Sequence, residues 1–188
     1  AAGFASTASQ DQAAGTGLTA ANKRWGAGAL MFDGSNDYVS IPDSAPLSIT
    51  GTALTLESWI YPTILDSTHR RIAHKRYSTT ASGYELRIDN ANKGHFTLWD
   101  GTNSCELGTP AALTANTWYH LVGVLSGTNC YLYLNGSLSA STTTAVSLAD
   151  STEALRIGSW DGSIQFFAGT VDSTRVYRRE LTQAEILT

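Results

Sequence analysis

The sequence predicts an all-β fold, a two-sheet antiparallel jelly-roll sandwich that ends in a short helical turn. Three observations predict it. Apolar and polar residues alternate over many short runs, which is the period of a half-buried strand. Gly, Asn, Asp and Ser clusters punctuate those runs, as turns require. Helical signals appear only in the last few residues. At 188 residues with an apolar fraction of 42%, the chain is long enough for one large sandwich with a real core.

The elements follow in order. Ala29 to Ile41 reads as a strand, a turn at Asp33-Gly34-Ser35-Asn36, and a second strand. Leu54 to Tyr61 alternates cleanly, with Leu56, Ser58 and Ile60 on one face and Glu57, Trp59 and Tyr61 on the other. Arg71–Lys75, Tyr84–Asp89 and His95–Trp99 are further strands, the last two joined by the loop Asn90-Ala91-Asn92-Lys93-Gly94. Trp118–Leu125 and Cys130–Asn135 form a hairpin around Ser126-Gly127-Thr128-Asn129. Asn135-Gly136 then turns the chain into Ser137–Ser141. Leu155–Gly158, Phe166–Ala168 and Val171–Tyr177 complete the strands. Thr182 is placed as the N-cap of a short helix over 182–187, with Glu185 closing a capping box. The first 24 residues are rich in Ala, Gly, Ser and Thr and read as an arm, an edge strand or a linker. The sandwich is expected over 25–188, with Trp25 covering an edge.

Composition narrows the function classes. Charged residues are 15% of the chain, against roughly a quarter in an average protein. A surface of Ser, Thr, Asn and Gly suits an extracellular protein. A net charge of −4 argues against nucleic acid and anionic membranes as partners. No apolar run is long enough to span a bilayer, so no membrane insertion is expected. Cys105 and Cys130 read either as two buried thiols or as a disulfide between neighbouring strands.

From Gly28-Ala29-Leu30-Met31-Phe32-Asp33-Gly34 onward the chain resembles the laminin-G-like domains of the concanavalin A-like lectin/glucanase superfamily. The resemblance continues through Leu54-Thr55-Leu56-Glu57-Ser58-Trp59-Ile60, Thr117-Trp118-Tyr119-His120 and Leu132-Tyr133-Leu134-Asn135-Gly136. It closes with Gly169-Thr170-Val171-Asp172-Ser173-Thr174-Arg175-Val176-Tyr177. It implies a module carried on glycosidases, adhesins or phage particles, secreted or displayed on a cell or virion surface. It also implies binding of glycan or protein, and in many members one structural calcium ion. Calcium needs six to eight oxygens, and Asp172, Asp33 and Asp37 are the candidate ligands. The competing reading makes all three ordinary turn and loop caps. The recurrence of Glu57 and Arg175 in the family motif points to a structural ion pair.

Alternation supplies a binding surface. If the strands share one sheet, its outer face carries Tyr61, Glu85, Arg87, Asp89, His95 and Trp99 together. Aromatic rings suit the apolar faces of a pyranose, and charged groups suit its hydroxyls. Trp99 and Trp160 are the expected platforms, and Asp161 beside Trp160 is an acceptor for hydroxyls. Trp59 and Trp118 are expected to pack. Catalysis is not expected. Glu85 and Asp89 are four apart with Arg87 between them on the same face, and an arginine there holds carboxylates ionised and spoils a proton donor. The four histidines show no metal-ligand spacing. Recognition of a surface polysaccharide is the first expectation, and a structural or protein-interaction module is the alternative.

Overall fold

The computed structural model describes residues 17–19, 23–24, 28–76 and 82–187. Trp25 and most of the N-terminal arm lie outside them. Two antiparallel sheets form the fold. The first contains β1 (Gly17–Thr19), β2 (Ala29–Asp33), β4 (Ala53–Pro62), β9 (Tyr119–Ser126), β10 (Asn129–Leu134), β11 (Ser137–Thr143) and β13 (Ala168–Tyr177), in the order β1-β2-β13-β4-β9-β10-β11. The second contains β3 (Val39–Ile41), β5 (Arg70–Lys75), β6 (Gly83–Ile88), β7 (Gly94–Trp99), β8 (Ser104–Gly108) and β12 (Leu155–Ile157), in the order β3-β12-β5-β6-β7-β8. This is the expected jelly-roll sandwich.

Alternation drives the packing between the sheets. Leu54, Leu56 and Ile60 of β4, Leu86 and Ile88 of β6, Phe96 and Leu98 of β7, and Leu121 and Leu125 of β9 are all fully buried. Gly123 sits among these inward residues because the Phe96 ring occupies its side-chain space. A Cβ there would lie 2.1 Å from the ring. A second apolar cluster, Val122, Val124, Leu181 and Ile186, lies on the other face of β9. The helix α1 (Gln183–Ile186) brings Ile186 to it. Its N-terminus is held by the expected capping box: Thr182 accepts from Glu185 N, and the Glu185 carboxylate accepts from Thr182 N at 2.8 Å. Asn135 and Gly136 take the positive φ values of 51° and 79° that the tight turn before β11 needs.

Several details differ from the sequence expectation. Ser104–Gly108 is a strand, and it carries Cys105. Phe166 and Phe167 precede one continuous strand, Ala168–Tyr177, instead of forming a separate one. That strand bulges between Asp172 and Arg175, with Ser173 at φ 51°. Cys105 and Cys130 form a disulfide. It joins β8 of one sheet to β10 of the other, so it clips the two layers together instead of linking neighbours within one sheet.

Candidate functional site

The candidate site is the outer face of the six-stranded sheet. Tyr84, Leu86 and Ile88 of β6 point into the core, so Glu85 and Arg87 point out. Register places their neighbours. Glu85 lies opposite His74 on β5 and Thr97 on β7; Arg87 lies opposite Arg71 and His95. Arg156 of β12 lies opposite His74 on its other side.

These outward residues were expected to be exposed, and at the centre they are not. Glu85 is 1% and Arg87 9% exposed, because the side chains cover one another. The Glu85 carboxylate is the hub. Its Oε1 accepts from Arg71 Nη1 at 3.0 Å and from Arg87 Nη1, and its Oε2 lies 2.9 Å from His74 Nδ1. Burial alone would raise the Glu85 pKa. The His74 hydrogen bond and the two guanidinium charges outweigh it and hold the carboxyl below its ordinary range. Burial lowers the His74 pKa, so its ring is neutral and donates from Nδ1. Arg87 also reaches Thr97 Oγ1 and lies 3.3 Å from His95 Nδ1 through Nη2. His95 Nε2 lies 3.2 Å from Asp89, whose other oxygen accepts from Ala91 N and Lys93 N and shapes the hairpin loop.

Two partly buried tryptophans frame this polar floor. Trp99 closes β7 under Arg76, whose guanidinium lies 5.6 Å from the ring centroid. Trp160 arrives on the loop between β12 and β13. It packs on His74 at 4.3 Å and beneath the Arg71 guanidinium at 4.4 Å. Strand spacing puts the two indoles roughly 12 Å apart across β5, β6 and β7. Asp161 is exposed, and its Oδ1 is occupied by Ser163 N, Ile164 N and Ser163 Oγ, so it fixes the loop.

Of the expected ligand-contact residues, Trp99, Trp160, Glu85, Arg87 and His95 come together. Tyr61 does not. It belongs to β4 on the other sheet, where it packs against Trp118 with centroids 5.5 Å apart. Asp89 sits at the loop end of the face and is spent on backbone. Arg71, His74, Arg156 and Thr97 join the site without having been singled out.

The opposite sheet carries a groove of about 880 Å3 lined by Trp59, Trp118, His120, Arg175 and Tyr177. At its base Glu57 accepts from Arg175 Nη1 and Tyr177 Oη, both at 2.9 Å, and lies 3.2 Å from His120 Nε2. Burial opposes ionisation there, but these partners draw the Glu57 pKa down to about 2. Trp59 stacks on His120 at 4.7 Å. The Glu57–Arg175 ion pair is present, and Trp59 and Trp118 are partly buried, as Trp99 and Trp160 are, and line this groove.

The three aspartates named for calcium do not converge. Asp33 Oδ1 accepts from Ser35 N and Asn36 N, and Asp37 Oδ2 accepts from Asp33 N, so both shape one turn. Asp172 lies four residues along β13 from the partner of Asp33, roughly 13 Å away, and accepts from Arg24 N at 2.7 Å. No cluster of three metal-ligating side chains occurs among the described residues. A calcium ion held jointly by these three carboxylates does not fit this arrangement. A site built on Asp172 and neighbouring backbone carbonyls is tested by melting with and without a chelator. A melting temperature that drops with chelator and recovers with calcium would show a bound ion, and coincident melts would count against one.

The family model described as the concanavalin A-like lectin/glucanases superfamily matches residues 33–187. The chain belongs to this superfamily, as a laminin-G-like domain. No curated protein matches the laminin-G-like domain in sequence. Solved structures share its fold. Domain 4 of an extracellular arabinanase from Geobacillus stearothermophilus, in complex with arabinotriose, superposes with a TM-score of 0.73 at 17% identity. The match covers 92% of this chain and 81% of that one. A CBM40 module of Ruminococcus gnavus IT-sialidase, bound to sialyllactose, gives 0.67 at 15% identity over 85% of this chain and 94% of that one. The binding domain of Paraclostridial Mosquitocidal Protein 1 gives 0.71 at 15% identity. There the match covers 93% of the laminin-G-like domain but 45% of the other chain. No helix among the described residues is long and apolar enough to cross a membrane.

Proposed function

We propose that this laminin-G-like domain is a non-catalytic carbohydrate-binding module of a secreted or surface-displayed protein. The glycan lies on the outer face of the six-stranded sheet. The observation that carries the proposal is the pairing of two partly buried indoles, Trp99 and Trp160, on either side of a polar floor of Glu85, Arg87 and His95. Sugar rings stack on the indoles by their C–H faces, and the floor meets their hydroxyls. Sugar ligands named for the arabinanase and sialidase modules support the class of ligand. Binding without turnover is supported by Glu85. A glycosidase needs a carboxyl that holds a proton near neutral pH, and three partners keep this one ionised.

A glycan array followed by affinity electrophoresis tests the reading. Trp99→Ala and Trp160→Ala are each expected to weaken retention by roughly 2- to 12-fold, the range set by losing one aromatic contact. Their folds should be intact by circular dichroism. If the folded protein binds no glycan and forms stable oligomers or captures protein partners, it is an interaction module instead.

A further inference from the structure

The hydrogen-bonding inventory of the six-stranded face is lopsided. Four N–H donors there are shut from water and reach no acceptor: Arg71 Nε, Arg87 Nε, Arg156 Nη1 and Trp99 Nε1. The floor's own acceptors are committed. Both Glu85 oxygens, the Asp89 oxygens and Thr97 Oγ1 already receive donors. His74 Nε2, His69 Nδ1 and Gln165 Oε1 are the buried ring nitrogens and oxygens without a partner on and beside this face among the described residues, and the Glu106 carboxylate lies exposed at its edge. The first of these lies under Trp160. Three of the four unspent donors belong to guanidinium groups. A buried donor without a partner costs about 1–3 kcal/mol, and more when charged.

Arg71, Arg76, Arg87 and Arg156 stand on or beside this face against Glu85, Asp89, Glu106 and Asp161, a local balance of charge in a chain of net charge −4. A neutral sugar offers hydroxyls that donate as well as accept, so it suits a floor with both kinds of group. Surplus guanidinium donors suit a group that only accepts.

We propose that the glycan recognised here is acidic, with a carboxylate or sulfate group seated on the arginines of β6 and β12. This rests on the glycan-binding reading and adds the charge of the ligand. Arg87 and Arg156 flank the seat. The Arg71 guanidinium lies over the Trp160 ring at 4.4 Å, and the Trp160 loop turns on Gly158 and Gly162 at φ 93° and 89°. The anion meets Arg87 and Arg156 beside the indole, and the sugar ring takes the indole as its stacking partner. Planar guanidinium groups bind carboxylate or sulfate oxygens in pairs, which a lysine does not reproduce.

Matched polysaccharides test the proposal. Polygalacturonate is compared with its fully methyl-esterified form, and carrageenan with its desulfated form, by affinity electrophoresis and calorimetry at low salt. The acidic member of at least one pair is expected to bind at least about tenfold more tightly, with the advantage shrinking as salt is raised. The pair that responds separates carboxylate from sulfate. Arg156→Gln, at a half-exposed position, is expected to bring the two members of that pair close to equal affinity while its melting temperature stays near that of the parent. Arg87→Lys keeps the charge and is expected to lose most of the preference. Equal binding of acidic and neutral members, or an Arg156→Gln protein with its preference intact, overturns the proposal and leaves the glycan reading standing. Failure to bind any glycan, acidic or neutral, overturns both.

Discussion

Glu85→Ala is expected to lower the unfolding free energy by about 3–5 kcal/mol, the usual cost of removing one member of a buried ionic network. Two guanidinium groups and one imidazole converge on this carboxylate, and all four residues are buried. Without Glu85, Arg71 and Arg87 remain buried with no counter-charge between them. Urea denaturation measures the loss, and a value under about 1 kcal/mol would mean that the network carries little of the fold's stability. Glu85→Gln should fall between, because the amide oxygen still accepts but the charge is gone. The network also fixes the response to acid. The folded His74 pKa lies below its unfolded value of 6.5, so the unfolded chain binds more protons. That contribution is complete above 6.5 and fades as pH falls through it. Glu85 and Glu57 act lower down. Their folded pKa values lie below the ordinary 4.5, with Glu57 at about 2. Their stabilisation is full above 4.5 and drains away as pH falls toward the folded values. A melting curve from pH 8 to pH 3 should therefore decline gently below 6.5 and steeply below 4.5.

The parts of this face that the sequence exposes are those where alternation is unbroken. Glu85 and Arg87, two apart on β6, and His95, Thr97 and Trp99, two apart on β7, lie on the face that a period of two assigns them. Arg71 and His74 are three apart, so alternation sends them to opposite faces. The irregularity between Arg71 and Ala73 absorbs one residue, and both side chains then meet Glu85. Only the register records this device. Alternation also separates inside from outside without saying which sheet a strand joins. Tyr61 therefore grouped with Trp99 on paper, although β4 and β7 lie in different layers. Depth was hidden for a related reason. Outward residues read as exposed until the Trp160 loop is folded over them, and nothing local to Glu85 announces that loop.

Loss of the Cys105–Cys130 disulfide is expected to cost about 3 kcal/mol, because the bridge closes a segment of sequence separation 25 and restricts the unfolded chain accordingly. For a domain of this size that corresponds to a drop of roughly 10 °C in melting temperature. The position argues for a full effect. Cys105 lies on β8, at the edge of the six-stranded sheet, and Cys130 on β10 of the other layer. The bridge therefore ties two sheets that otherwise hold together at that rim by side-chain packing. Cys130→Ala with Cys105→Ala is the cleaner variant, since both positions are at most 1% exposed and serine would bury an unmatched hydroxyl. Reducing agent on the parent protein should reproduce most of the shift, while the double variant should no longer respond to it. Two titratable thiols in the unreduced, denatured protein, or identical melting with and without reductant, would show that the bridge is not formed. A formed bridge fits an oxidising compartment.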